Sequence, residues 1–426
     1  MVKYVLFLAL SLLFVSCKDL SSLKPSEKAF DREDSYILLA LRAEEVKDYI
    51  SASELFTILY EKSLKQEYLY RSLQNDLLAK KYIKLIKRVD VYLKDSPQDP
   101  VLQRLKVVSL FDLNRLDEAT TLSISLAKMT KNPNDYILVS DIYSKRQEYD
   151  TALKYLESAY TKEYNEKILD RISIILYVNL NRKKEAIAQL ETHSRMLGCS
   201  ERICMRLIGF YSNENNVDGL LATYLRLYKS KKNEEIAKKI VQIYSYKKDY
   251  LALMNFLEHS SVDDEVLLQL YTASKNYDKA YVLSQKLYER TSQIDYLGRS
   301  AIYEYESAKD KNKQELIQRV VRKLKKVILE DKGPVYLNYL GYILIDHEID
   351  VKIGMDYIDR VLKMQPNSSY YLDSKAWGYY KLGKCEKAKK IMQRVVKLDG
   401  GDDPEVLFHL KKIEKCLKNK KVISKK

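Results

Sequence analysis

The chain has 426 residues and a formal net charge of +15, with 31% charged and 46% hydrophobic residues. His193, His259, His347 and His409 lie far apart, no cysteine pair has CxxC spacing, and neither a glycine-rich phosphate loop nor a G-x-S-x-G elbow occurs. That excludes the common metal, nucleotide and serine-hydrolase motifs, so no cofactor or catalytic residue is expected. The basic excess by itself would suit nucleic acid, but no nucleic-acid module is visible and none is expected as a partner.

Lys3 gives the N-terminus a positive start. Tyr4–Val15 follows as an apolar run of about a dozen residues, too short to span a bilayer comfortably. It ends at Phe14-Val15-Ser16-Cys17. This resembles the lipobox of bacterial lipoproteins in the relaxed form typical of spirochaetes, with Phe14 where leucine is usual. The resemblance implies a signal peptide over 1–16 and a palmitate-type lipid anchor on Cys17. It also implies localisation at the bacterial cell envelope, on the periplasmic face or the outer surface. Ordinary cleavage with a free Cys17, or an uncleaved anchor, are the alternatives. Residues 17–34 contain Ser and Pro and little apolar pattern, and read as a flexible tether.

From there a small residue returns at near-constant spacing: Ala119, Ala152, Ala186, Gly219 and Ala252, separated by 33, 34, 33 and 33, then Gly354 and Ala388, separated by 34. Ala52 precedes Ala119 by 67, two such lengths. Each sits behind an apolar residue and a polar pair, as in Tyr149-Asp150-Thr151-Ala152. Apolar-periodic stretches on both sides read as two helices per unit, with the small residue opening the second and permitting close approach. A fixed period of this kind marks a helical solenoid. Prolines 97, 100, 133, 334, 366 and 404 are all placed between predicted helices, where they cost nothing. Residues 35–99 read as degenerate N-terminal repeats and 100–402 as the array, irregular over 281–333 and clearest over 334–402. Within the irregular part, 295–308 and 314–329 are expected as helices. Residues 403–426 read as a capping helix, with Lys411, Lys412 and Lys415 outward, and a basic tail.

The series Leu372, Ala376, Tyr379, Gly383, Ala388 and Met392 resembles the signature of the tetratricopeptide repeat (TPR). The resemblance implies an all-α, right-handed α-α superhelical solenoid of roughly ten TPR-like hairpins, non-enzymatic, binding proteins or peptides in the groove lined by the first helices. Carried over position by position, it assigns Asn338, Tyr342, Ile345, Tyr370, Asp373, Trp377 and Tyr380 to that groove. The corresponding Asn134, Ile137, Asp141 and Ser144 form a poorer surface. Tyrosine and tryptophan bury large rigid areas while keeping a polar handle, which favours the C-terminal end for recognition. The alternative for Trp377 is repeat core.

Four cysteines follow Cys17. Cys199 and Cys204 lie five apart across a turn, and Cys385 and Cys416 fall at one edge of the array, so two disulfides or four unpaired thiols both fit. Residues 405–426 hold eight lysines and two glutamates. That tail reads as a solvated face or as a site attracted to anionic lipid. The expected function is a membrane-anchored scaffold for envelope or secretion-complex assembly. The alternatives are a surface adhesin for host molecules and an envelope enzyme with an unseen site. Oligomeric state leaves no trace in the sequence.

Overall fold

The computed structural model describes residues 28–398 and 400–423. The signal peptide, Cys17, most of the tether and the last three residues of the tail lie outside the described residues. Helices account for nearly all of the rest, and among the described residues there is no strand. They fall into two compact units, one ending at Ile236 and the other starting at Ala237.

The first unit holds α1 (Glu33–Glu45), α2 (Tyr49–Ser63), α3 (Gln66–Leu78), α4 (Tyr82–Asp95), α5 (Pro100–Asp112), α6 (Leu116–Thr130), α7 (Pro133–Lys145), α8 (Tyr149–Glu163), α9 (Glu166–Ile174), α10 (Lys183–Leu197), α11 (Glu201–Asn213) and α12 (Val217–Ser230). The second holds α13 (Glu234–Lys247) from Ala237 onward, α14 (Tyr250–Ser260), α15 (Asp264–Ala273), α16 (Tyr277–Thr291), α17 (Ile294–Ser307), α18 (Gln314–Glu330), α19 (Pro334–Asp346), α20 (Val351–Met364), α21 (Ser369–Lys381), α22 (Cys385–Val395) and α23 (Pro404–Ile423). Helices α1 to α22 pair in order as eleven hairpins, and α23 stands alone. Within each unit neighbours in sequence pack together. The first helices of successive hairpins also touch, as α3 does α5, α9 does α11 and α19 does α21. That layout is an all-α helical-repeat solenoid.

The small residues act as the spacing predicts. Ala52, Ala119, Ala152, Ala186, Ala280 and Ala388 are fully buried in the first turn of each second helix. Gly354 is the tightest case. A Cβ there would lie 2.7 Å from the Gly341 carbonyl oxygen, so α19 and α20 approach backbone to backbone. Ala252 departs from the rule and is only half-buried.

The hairpin turns repeat one device. A residue with positive φ (Lys47, Lys80, Asn114, Gln147, Lys275, Gly383) lets the next N–H close on a carbonyl five residues back. Examples are Glu148 N–H to Tyr143 O at 2.9 Å and Lys384 N–H to Tyr379 O at 2.8 Å. Only Gly383 adopts this conformation without steric cost, and the L residues each give up about 1–2 kcal/mol. Packing of the paired helices therefore sets the turn. Side-chain caps assist: Asp99 accepts from the Val101 N–H at 2.8 Å and Asp263 from the Val266 N–H at 3.0 Å.

One expectation needs correction. Pro100, Pro133, Pro334 and Pro404 do not lie between helices. They are the first residues of α5, α7, α19 and α23, where a missing N–H removes no hydrogen bond. After α9 the chain widens into a π-helical turn over Ile175–Asn179. There the Tyr177 ring stacks on Phe210 with centroids 3.9 Å apart.

Candidate partner-binding groove

In the second unit, the groove face is made by α19 and α21, and α23 lies against it. Helix α23 carries an apolar stripe at helical spacing: Val406, Ile413 and Leu417 are buried, with His409 at the same register. Val406 and Ile413 join Leu372, Ala376, Ala388, Met392 and Val395 in one core. To that extent α23 closes the apolar end of the array, as a capping helix should.

It also does more. His409 is 1% exposed; its ring stacks on Trp377 with centroids 4.0 Å apart, and its Nδ1 pairs with Asp373 Oδ2 at 2.8 Å. The Trp377 indole N–H donates to Asp346 Oδ1 at 2.8 Å, which fixes the ring from the other side. Glu405, at the start of α23, accepts a hydrogen bond from the Tyr342 hydroxyl of α19. The Cys385–Cys416 disulfide, with Cα atoms 6.2 Å apart, ties the middle of α23 to the start of α22. A second disulfide, Cys199–Cys204, spans the turn into α11 with Cα atoms 5.4 Å apart.

Three tyrosines of α19 work in series. Tyr336 donates to Asp295, Tyr339 to Glu306 at 2.5 Å, and Tyr342 to Glu405. Burial, followed by the nearby carboxylates, pushes the Tyr339 and Tyr342 hydroxyls well above the ordinary phenol range. They therefore remain neutral donors. Tyr305 meets His347 Nε2 at 3.0 Å, and burial lowers the His347 pKa.

This geometry corrects the sequence assignment. Ile345 is fully buried against Met355, Ile358 and Trp377 and belongs to the core. Asp373 and Trp377 are 6% and 4% exposed, being covered by His409. Asn338, Tyr342 and Tyr380 are half-buried, and Tyr370, at 60% exposure, is the one residue of the seven that is openly accessible. The positional rule describes a repeat with an empty groove, whereas α23 fills the groove here. Sequence reasoning missed Glu405, His409 and Asp346. A histidine inside the apolar stripe 406–409–413–417 was the available signal.

The first unit presents a different inner face. Arg104 of α5 grips Asp135 of α7 through two bonds of 2.7 and 2.9 Å. Asp141 of α7 pairs with Arg171 of α9. Arg206 of α11 grips Asp170 of α9 at 2.6 Å. Asp141, assigned above to the poorer surface, is thus engaged inside the chain. Among the described residues no group of three or more His, Cys, Asp or Glu side chains is placed to hold a metal ion, and no helix is long and apolar enough to cross a membrane.

No protein-family model matches this chain, and no curated protein matches it. Among solved structures it is similar to a chain of Naa15/Naa10 bound to HypK-THB, at 13% identity and a TM-score of 0.36. That match covers 80% of this chain and 64% of the other, less than two thirds of its length. It is also similar to a chain of the APC/C hetero-tetramer Cut9-Hcn1, at 11% identity and a TM-score of 0.39, over 90% of this chain and 97% of the other.

Proposed function

We propose that this chain is a non-enzymatic scaffold that holds protein or peptide partners at a bacterial cell envelope, tethered by lipid on Cys17, in the assembly of an envelope or secretion complex. The observation that carries the binding role is the seating of α23. The face of α19 and α21 already accepts an amphipathic helix through one aromatic stack, one histidine–carboxylate bond and one tyrosine–carboxylate bond. A surface that recognises a helix in this way has the chemistry needed to recognise another chain. Two disulfides among the described cysteines support an oxidising compartment, which agrees with export.

A photo-crosslinking amino acid at Tyr370, the accessible rim of this face, tests the reading in intact cells. A discrete crosslinked partner is the expected result. Crosslinks to nothing but the chain itself, in a protein that is folded and at the envelope, would remove the binding role. Metabolic labelling with a palmitate analogue tests the anchor separately: label should appear on the wild type and vanish in Cys17→Ala.

A further inference from the structure

Apart from Phe408, whose ring centroid lies 6.3 Å from that of Trp377, the outward side of α23 faces away from the groove, and its composition is unusual. At 100° per residue, Leu407, Phe408, Lys411, Lys412, Lys415 and Lys418 fall within an arc of about 140°, opposite the buried stripe. All six are exposed, Leu407 by 41% and Phe408 by 51%. Lys411, Lys415 and Lys418 have no ion pair among the described residues, and Lys412 lies over the Phe408 ring, 5.2 Å from its centroid. Glu414 flanks the arc, and Glu405 is turned away into its bond with Tyr342. The Cys385–Cys416 bridge and the buried stripe hold this ridge of like charges rigidly in place.

We propose that this face of α23 docks on an anionic lipid surface, lysines against the head groups and Phe408 and Leu407 at the acyl boundary. A helix with one cationic face flanked by exposed aromatic and aliphatic side chains has the composition of an interfacial helix. Lysine is a compact point charge without the planar fork that reads individual phosphates, so a ridge made of lysine alone suits a laterally continuous negative surface. Phe408 and Leu407 select a bilayer over a soluble polyanion, because only a bilayer offers apolar depth behind its charge. The contact is independent of acylation at Cys17. It would set how the C-terminal hairpins lie at a membrane whether or not the N-terminus is anchored.

Leu407→Trp in the full chain tests this locally, with the Trp377 signal of wild type subtracted. With phosphatidylglycerol vesicles the emission should shift to the blue and be quenched by brominated acyl chains; with phosphatidylcholine vesicles neither should occur. An N-terminal anchor cannot place residue 407 in the acyl region, so this readout does not depend on the scaffold reading. Lys411→Gln with Lys415→Gln, both exposed positions, should weaken that anionic-vesicle response about thirty-fold, at roughly 1 kcal/mol per lysine. Raised ionic strength should weaken it further. No shift with anionic vesicles, an equal shift with zwitterionic ones, or tighter binding to RNA than to vesicles would each overturn the proposal.

Discussion

Two runs of first helices, one in each unit, use different chemistry for the same architectural task. From α5 to α11, they are joined by guanidinium–carboxylate pairs: Arg104 with Asp135, Asp141 with Arg171, Asp170 with Arg206. From α17 to α23, they are joined by tyrosines that donate to carboxylates and by the Trp377–His409 stack. The ionic contacts are directional and consume their own charges, leaving little on that face to offer a partner. The aromatic contacts bury area and accept a helix from elsewhere in the chain. A solenoid thus keeps its backbone layout constant and varies recognition by what it places on the inner positions.

The largest effect should come from breaking the ionic series. Arg104→Ala leaves Asp135, 1% exposed, with Thr130 as its remaining side-chain partner. We expect a loss of about 4 kcal/mol, the usual result of stranding a buried charge. Urea unfolding with hydrogen exchange over residues 100–145 would measure it. A loss below about 1 kcal/mol would mean that the pair is ornamental and the comparison fails.

The disulfides give the next contrast. Cys385–Cys416 closes a segment of 31 residues and Cys199–Cys204 one of 5. Loop-closure entropy then assigns about 3.5 kcal/mol to the first and about 2 kcal/mol to the second. Alanine pairs at each bridge, compared by chemical denaturation, should fall in that order. Removal of the first should also raise hydrogen exchange in α23 while leaving the first unit unchanged.

The smallest effect is in pH. Burial holds the His347 pKa below its ordinary 6.5. The unfolded chain therefore takes up that proton first, and the second unit should weaken as pH falls below about 6.5. In the first unit, the hydrogen bond from Lys65 lowers the Glu33 pKa and that from Arg226 lowers the Glu191 pKa, both from 4.5. Stability from those two is present above that value and is lost only as pH falls further. Unfolding midpoints at pH 7.5 and 5.5 should shift for the second unit, and His347→Gln should flatten the shift.

The repeat was legible because its signals are local. A small residue opening each second helix, an Asx cap such as Asp99 or Asp263, and apolar spacing of three and four all act within one or two turns of chain. The positive-φ turns were less legible, since Lys47, Lys80 and Gln147 adopt a conformation their identities do not favour. The groove was less legible: Asp373 and Trp377 were assigned to an open surface that α23 covers, and Ile345 to that surface although it belongs to the core.

What the sequence determined by itself is therefore the hairpin, since its helix lengths, caps and closest contacts follow from residues a few positions apart. What the tertiary structure decided is which surfaces remain free. Glu405 meets Tyr342 from 63 residues away and His409 meets Asp373 from 36, and contacts of that range depend on the stacking of whole hairpins. No periodicity encodes them, because their geometry exists only once the helices between have packed.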